Sequence, residues 1–237
     1  MIRRHFQHHQ TITTILADCE EHIGAAREGI LDARQAVEAV CATDPFFAST
    51  FDPYDPGSDH PVIRRMVAAA EEAGVGPMAA VAGTIAWAGV EAMVDAGAGF
   101  GVVDNGGDIA LISDRDLRIG IYAGESNRNS AFLIPPQTEP TGICTSSASV
   151  GPSISLGSAD AVTVFSGNVS AADAWATSLC NSLTPDDLSS FSLLEETGVI
   201  GVIAVFGDVI IRWGTIPALV SAHIDRNLIT STMSFLK

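Results

Sequence analysis

The chain has 237 residues, of which 47% are hydrophobic, and this is enough for a substantial buried core. The 28 acidic residues outnumber the 12 basic residues, which gives a formal net charge of -16. This charge repels nucleic-acid phosphates and anionic lipids, so neither nucleic acid nor a membrane is an expected partner. A single domain spanning residues 1–237 is predicted.

The cysteines do not indicate a metal site or a disulfide framework. They are Cys19, Cys41, Cys144 and Cys180, and no two of them form a CxxC pair. The N-terminal segment MIRRHFQHHQTIT has no apolar stretch behind its basic residues, so it does not resemble a secretory signal. A cytoplasmic protein with reduced thiols is expected.

The N-terminal quarter of the chain is predicted to form strands, a long helix and a loop. Residues 5–17 place apolar residues among Thr and His, which suggests one or two strands with exposed faces. Apolar residues recur at helical spacing over residues 23–40 and predict the first helix. Residues 44–61 combine prolines with aromatic residues, so a loop is expected there.

Two further helices are predicted before the pattern changes. One has Pro61 in its first turn and ends before Gly74, and the next begins at Gly76 and ends near Gly97. The second of these is long enough for a membrane span, but its acidic residues and its Ala and Gly content favour a buried helix. Such a helix would suit a tightly packed core or the interface of a homo-oligomer.

The second half of the chain has a β-type pattern. Short apolar runs separated by turn residues predict a meander over residues 99–135. A Ser- and Gly-rich stretch at 141–160 precedes a strand at 161–167 and a helix at 170–183, and a closing hairpin is expected to turn at Gly207. These elements indicate an α+β fold with mixed or antiparallel sheets and packed helices.

The first candidate for chemistry is the sequence NGGD, which contains Gly106, Gly107 and Asp108. Asn-Gly between two strand-like runs is a strong hairpin signal, because glycine adopts the positive φ that tight turns need. Two glycines also expose backbone amides to a ligand at close range. The carboxylate of Asp104 or Asp108 would then be able to bind a hydroxyl group or a metal ion.

The second candidate is the pair Asp173 and Thr177. They are four residues apart on a predicted helix, so they share one face, and both offer the hard oxygen ligands that suit Mg2+ or Ca2+. The alternative is structural. Ser170 would cap the helix, and Asp173 would complete the capping pattern at the positive end of the helix dipole.

The third candidate is the hydroxyl-rich stretch TSSAS, which contains Thr145, Ser146 and Ser147. Hydroxyls and small residues let the backbone amides of a loop cradle a phosphate, but loops of this composition are common and the pattern is not a Walker motif. Cys144 borders this stretch. It is either a reactive thiol with a lowered pKa or a buried small apolar residue.

Three histidines, His5, His8 and His9, lie close together near the N-terminus. Adjacent residues of a strand point to opposite faces, so at most two of the three would share a metal ion. A solvated strand is the favoured interpretation.

The order of these motifs resembles a known family. GVVDNGGDIAL, then TSSAS, then DAVTVFSGNVSAADAWATSL is similar to the flavin-handling ApbE family. GVGPMAAVAGTIAW together with GICTSSASVGPSISLGSADAVTVFSG resembles more closely a smaller ApbE-like family of uncharacterised proteins from bacteria and methanogenic archaea. The resemblance covers about residues 75–182.

The resemblance to ApbE implies a protein that binds FAD and, with Mg2+, moves FMN onto a threonine of a target protein. Gly106, Gly107 and Asp108 would line the flavin nucleotide site, while Asp173 and Thr177 would hold the metal against the pyrophosphate. The leading expectation is an ApbE-like protein of unassigned activity that binds a small anionic ligand, such as a flavin or another nucleotide.

Two departures from the ApbE pattern leave alternatives open. Pro152 lies near the expected position of the catalytic histidine, and Ala82 stands where a basic residue precedes the glycine of the central helix. One alternative is a flavin transferase or nucleotide pyrophosphatase with Cys144, Ser146 or Ser147 as its nucleophile. The other, suggested for the uncharacterised family, is a role in sulfur assimilation, such as homocysteine synthesis, that uses Cys144.

Overall fold

The computed structural model describes residues 1–9, 11–120, 130–147 and 159–222, and these ranges form eleven strands and five helices. The strands are β1 (Ile2–His8), β2 (Thr11–Ala17), β3 (Phe100–Asn105), β4 (Asp108–Ser113), β5 (Leu117–Gly120), β6 (Ser130–Ile134), β7 (Gln137–Ser146), β8 (Ala161–Ser166), β9 (Val199–Phe206), β10 (Val209–Gly214) and β11 (Ala218–Ser221). The helices are α1 (Glu20–Thr43), α2 (Pro45–Ser49), α3 (Pro61–Ala73), α4 (Val81–Asp95) and α5 (Val169–Ser182). Short 3-10 helices cover Pro77–Ala80 and Ser189–Leu194.

Eight strands form one large antiparallel sheet in the order β1-β2-β3-β4-β7-β8-β9-β10, and β11, β6 and β5 form a smaller sheet. The helices cover one face of the large sheet, and the smaller sheet covers the other face. Strand residues therefore alternate between two cores: Val103 packs in the helix-side core and Val102 in the core between the sheets. The predicted α+β fold with antiparallel sheets and packed helices is confirmed.

Small residues let α1 and α4 approach each other closely. A Cβ atom on Gly29 of α1 would lie 2.6 Å from the carbonyl oxygen of Ala88, and a Cβ atom on Gly89 of α4 would lie 3.0 Å from Cγ1 of Ile30. By length and composition alone, Pro77–Asp95 is apolar enough to cross a membrane, yet half of that stretch is buried inside the fold. The Gly and Ala content of α4 serves close packing, as expected for a buried helix.

Two stretches that were predicted as loops contain regular structure. Pro45–Ser49 forms α2, and the Asp44 carboxylate caps it by accepting a hydrogen bond from the Phe46 amide at 3.1 Å. Residues 141–146 are the end of β7, which pairs with β4 on one side and β8 on the other. Pairing on both sides outweighs the loop-like composition of these residues. The rest of the predicted loop, at 148–158, lies outside the described residues.

Candidate functional site

The NGGD sequence forms the two-residue turn between β3 and β4. Asn105 pairs with Asp108, and Gly106 and Gly107 have φ values of 73° and 108°. This pairing confirms the predicted hairpin. Both central positions of the turn have positive φ, which explains why both are glycine. The amide of Gly107 donates a hydrogen bond to Oδ1 of Asp104 at 3.0 Å, so this amide is already engaged inside the turn.

Asp108 begins β4 on the side of the sheet that faces the helices. Its Oδ1 accepts a hydrogen bond at 3.2 Å from the amide of Thr145 in the neighbouring strand β7. Burial, and then repulsion from Asp104, raise the pKa of Asp108 to about 7, although the Thr145 amide favours the charged form. Asp108 is therefore a carboxyl group that changes charge near neutral pH.

Asp173 lies on α5 and caps a different helix. Its Oδ2 accepts a hydrogen bond from the amide of Gly83 at 2.7 Å, in the first turn of α4. No side chain caps α4 from its own N-cap position at Ala80, and the acid from α5 takes over this capping role. A Cβ atom on Gly83 would lie only 2.8 Å from Cβ of Asp173, which explains the glycine at this position.

The environment of Asp173 disfavours its charged form. The side chain is buried, and this burial, followed by the Asp108 carboxylate, raises the pKa of Asp173 well above its usual value. Hydrogen bonds from the amides of Ala82 and Gly83 act in the opposite direction. Asp108 on β4 is thus close enough to Asp173 on α5 for its charge to raise the pKa of Asp173.

The alternative capping role expected for Ser170 and Asp173 is wrong. Helix α5 is capped by Asn168, whose Oδ1 accepts a hydrogen bond from the Ala171 amide at 3.1 Å. The hydroxyl of Ser170 instead pairs with that of Thr84 in α4, at 2.7 Å. Both side chains therefore join α5 to α4 and do not serve their own helix.

Cys144 lies on β7, beneath α5, and has no exposed surface. Its Sγ donates a weak hydrogen bond to the carbonyl oxygen of Val169 at 3.7 Å. Burial, and then the Asp108 and Asp173 carboxylates, raise the pKa of the Cys144 thiol well above its usual value. Because the thiolate is the reactive form, this environment argues against the nucleophilic role and favours the buried apolar one.

The three hydroxyl residues after Cys144 have different surroundings. Oγ1 of Thr145 pairs with Oγ1 of Thr163 on β8 at 2.8 Å, and Oγ of Ser147 donates to the carbonyl oxygen of Asp160 at 2.6 Å. Oγ of Ser146 is buried and has no hydrogen-bond partner within the described part of the chain. Ser146 alternates with Thr145 along β7, so it faces the helices, as Cys144 does.

Thr177 lies one turn after Asp173 on α5 and is half-buried. This places its hydroxyl on the same helix face as the Asp173 carboxylate, as the spacing predicts. The roles of Asp173 and Thr177 as metal ligands, and those of Gly106, Gly107 and Thr145 in binding a cofactor, stay predictions.

Two contacts that shape this region were not foreseen from the sequence. Nδ2 of Asn105 donates a hydrogen bond to the carbonyl oxygen of Ala82 at 3.0 Å, which ties the hairpin to the start of α4. On the other side, the amide of Gly83 donates a hydrogen bond to the Asp173 carboxylate. The only sequence signal was the run Ala82-Gly83-Thr84 of small residues inside an apolar helix, and it gives no information about the partner.

Comparison with known proteins identifies the family. Residues 2–190 match the family model described as AbpE bacteria. The chain belongs to this family. It is 61% identical to a UPF0280 protein of Methanoculleus marisnigri, over 98% of this chain and 96% of that protein. It is 56% identical to a UPF0280 protein of Methanosphaerula palustris, over 98% of each.

Solved structures of ApbE share the fold of this AbpE-family chain. Flavin transferase ApbE from Vibrio cholerae superposes with a TM-score of 0.54 at 12% identity, covering 90% of this chain and 96% of that one. The apo form of flavinyl transferase ApbE from Pseudomonas stutzeri gives a TM-score of 0.51 at 14% identity, covering 90% and 94%. The expected ApbE-like fold is confirmed.

Proposed function

We propose that the protein binds a small phosphate-bearing ligand, a flavin or another nucleotide, together with Mg2+ beside Asp108 and Asp173. The observation that carries this proposal is the meeting of these two acids on the helix side of the sheet, next to the NGGD hairpin. Burial of two interacting carboxyl groups is unfavourable unless a cation or a proton neutralises them. Within the described ranges, neither acid forms an ion pair with an arginine.

The side chains present fit Mg2+. This ion prefers one or two carboxylates, supplemented by phosphate oxygens and water. Asp108 and Asp173 would supply the carboxylates, and Thr177 would add a hydroxyl oxygen. The amide of Gly83 already holds Oδ2 of Asp173, so the cation would bind this carboxylate through Oδ1. When bound, Mg2+ would neutralise charge on the ligand's phosphate oxygens.

The buried hydroxyl of Ser146 supports a ligand at the same place. A buried hydroxyl without a partner costs about 1–3 kcal/mol, and a ligand atom would remove that cost. The amide of Gly106 lies in an exposed turn, where a phosphate would be able to approach it. The similarity in fold to flavin transferases makes a flavin the first ligand to test.

Binding is proposed ahead of catalysis. The burial of Cys144 and the carboxylates near it disfavour the thiolate form. Pro152, near the expected position of the ApbE histidine, lies outside the described residues. FMN transfer and pyrophosphate cleavage are therefore outcomes of the test. The sulfur-assimilation alternative depends on a reactive Cys144, and the burial of this residue does not favour it.

The test is a titration of the purified protein with FAD and with FMN, with and without Mg2+, followed by flavin fluorescence and by chromatography for AMP. The variant Asp173→Asn keeps the side-chain volume and an oxygen that can accept from Gly83, but it removes the charge. Asp95→Asn, at the exposed end of α4, is the matched control.

We expect micromolar FAD binding that requires Mg2+, falls by at least about tenfold in Asp173→Asn and is unchanged in Asp95→Asn. The appearance of AMP would add catalysis to binding. Flavin affinity that is the same with and without Mg2+ and in Asp173→Asn would refute this site. No binding of either flavin would refute the choice of ligand.

A further inference from the structure

The turn between β1 and β2 brings two histidines together. Strand β1 ends at His8, and His9 lies in the left-handed region with φ 52°. The ring centroids of His8 and His9 are 4.5 Å apart, with an angle of 76° between the planes. The expectation that these side chains point to opposite faces of a strand is therefore wrong, because the strand ends between them.

A carboxylate from α1 completes a cluster with these rings. One ligand atom from each of His8, His9 and Glu38 lies within 4.8 Å of the other two. We propose that this cluster is a second metal site, selective for a borderline divalent transition ion such as Zn2+, which fastens the N-terminal hairpin to α1. It is independent of the proposed nucleotide site.

The ligand chemistry differs from that of the Asp108 and Asp173 pair. Two imidazoles and one carboxylate suit Zn2+, whereas Mg2+ prefers oxygen ligands alone. Zinc bonds to these groups are about 2.0–2.2 Å long, so the ligand atoms must move to about 3.3 Å from one another. His9 and Glu38 are exposed and His8 is half-buried, so rotation of exposed side chains can close this gap.

The neighbours of Glu38 are compatible with a bound ion. Nε of Arg34 contacts Oε1 of Glu38 at 2.7 Å, so the metal would bind through Oε2. Arg34 also donates to the hydroxyl of Thr11, at the start of β2, so α1 is already fixed beside the hairpin. His5 is not a member of the cluster of His8, His9 and Glu38, and its Nδ1 is paired with the hydroxyl of Thr14 at 3.1 Å.

The test is calorimetric titration of the protein with Zn2+ in an excess of Mg2+, which occupies oxygen-only sites. His9→Asn removes the imidazole but keeps a residue that tolerates the left-handed conformation. Glu38→Gln removes the charge from an exposed helix position, where loss of folding is not expected. His22→Asn and Glu28→Gln, both on α1, are matched controls. Asp173→Asn tests whether zinc instead binds at the nucleotide site.

We expect one Zn2+ per chain with micromolar affinity. Affinity should fall by at least about tenfold in His9→Asn and in Glu38→Gln, and it should be unchanged in His22→Asn, Glu28→Gln and Asp173→Asn. Zinc binding that survives both ligand substitutions, that disappears only in Asp173→Asn, or that is absent from the wild-type protein would overturn the proposal. These results do not depend on whether a flavin binds.

Discussion

The carboxylate of Asp173 accepts a hydrogen bond from the amide of Gly83 at 2.7 Å, so that an acid from α5 closes the N-terminus of α4. The two residues are 90 positions apart in the sequence, yet they pack so closely that no side chain fits on Gly83. The charge of Asp108 raises the pKa of the same carboxyl group, so the contact that stabilises α4 also fixes one half of the proposed cation site.

Gly83→Ala should therefore damage both stability and binding. The added Cβ would lie 2.8 Å from Cβ of Asp173 and 3.0 Å from the carbonyl oxygen of Val169, so α4 and α5 must separate. We expect a loss of about 1–3 kcal/mol in the free energy of unfolding, measured with urea, and weaker flavin binding.

Gly24→Ala on α1 is the control for that experiment, because a Cβ atom there has nothing within 4 Å. It should raise stability by about 0.5–1 kcal/mol through helix propensity and leave binding unchanged. Equal effects of the two substitutions would show that the contact between Gly83 and Asp173 is unimportant.

The raised pKa of Asp108 predicts how stability depends on pH. The pKa is about 7 in the folded protein, and an unfolded chain has about 3.9. The unfolded chain loses the proton first, so this group's contribution is fully present below pH 4 and is lost as the pH rises to about 7. Asp173 has a pKa shift of the same sign.

Asp108→Asn should accordingly be more stable than the wild-type protein at pH 8, by about 2 kcal/mol once screening at the partly exposed site is included. The two proteins should converge near pH 4. Thermal or urea unfolding across this range measures the difference, with Asp95→Asn as the control. Added Mg2+ should narrow the gap at pH 8 by stabilising the wild-type protein. A constant difference at all pH values would contradict the assignment.

Local patterns were enough to predict much of the fold. The helical spacing over residues 23–40 became α1, the Pro61 and Gly74 signals bounded α3, and the NGGD and Gly207 turns became hairpins. These features depend on residues close together in the sequence. The order of the motifs also predicted the family, because three short patterns at fixed distances are far more specific than any one of them.

Contacts between distant elements could not be predicted in this way. The end of β7 has the Ser, Thr and Gly composition of a loop, and it is a strand because β4 and β8 pair with it. The sequence of α5 offers Asp173 a plausible capping role within its own helix. Because α5 packs on α4, the Asp173 carboxylate caps α4 instead. Glu38 joins the two histidines only because α1 passes beside the first hairpin.

Cys144 offers a test between a structural thiol and a nucleophile. The residue is fully buried with a raised pKa, so Cys144→Ala should retain flavin binding and any AMP release. In the native protein, a thiol reagent at neutral pH should modify the half-buried Cys19 and Cys41 first, and Cys144 only on unfolding. Loss of activity in a folded Cys144→Ala protein, together with rapid labelling of Cys144 in the native protein, would support a nucleophilic role for this residue.

Ser146→Ala should separate ligand binding from stability. Its hydroxyl is buried without a partner within the described residues, so its removal should leave the ligand-free protein equally stable or more stable by about 1 kcal/mol. Flavin binding should weaken by about tenfold if the ligand supplies the missing hydrogen bond.

Ser166→Ala on β8 is the contrasting control. That hydroxyl donates to the carbonyl oxygen of Gly198 at 2.9 Å and accepts from the Asn168 amide at 3.0 Å, so its loss should cost about 1–2 kcal/mol of stability. Urea unfolding and flavin titration on both variants give the comparison. A Ser146→Ala protein that loses stability but binds flavin normally would show that the hydroxyl serves the fold and not the ligand.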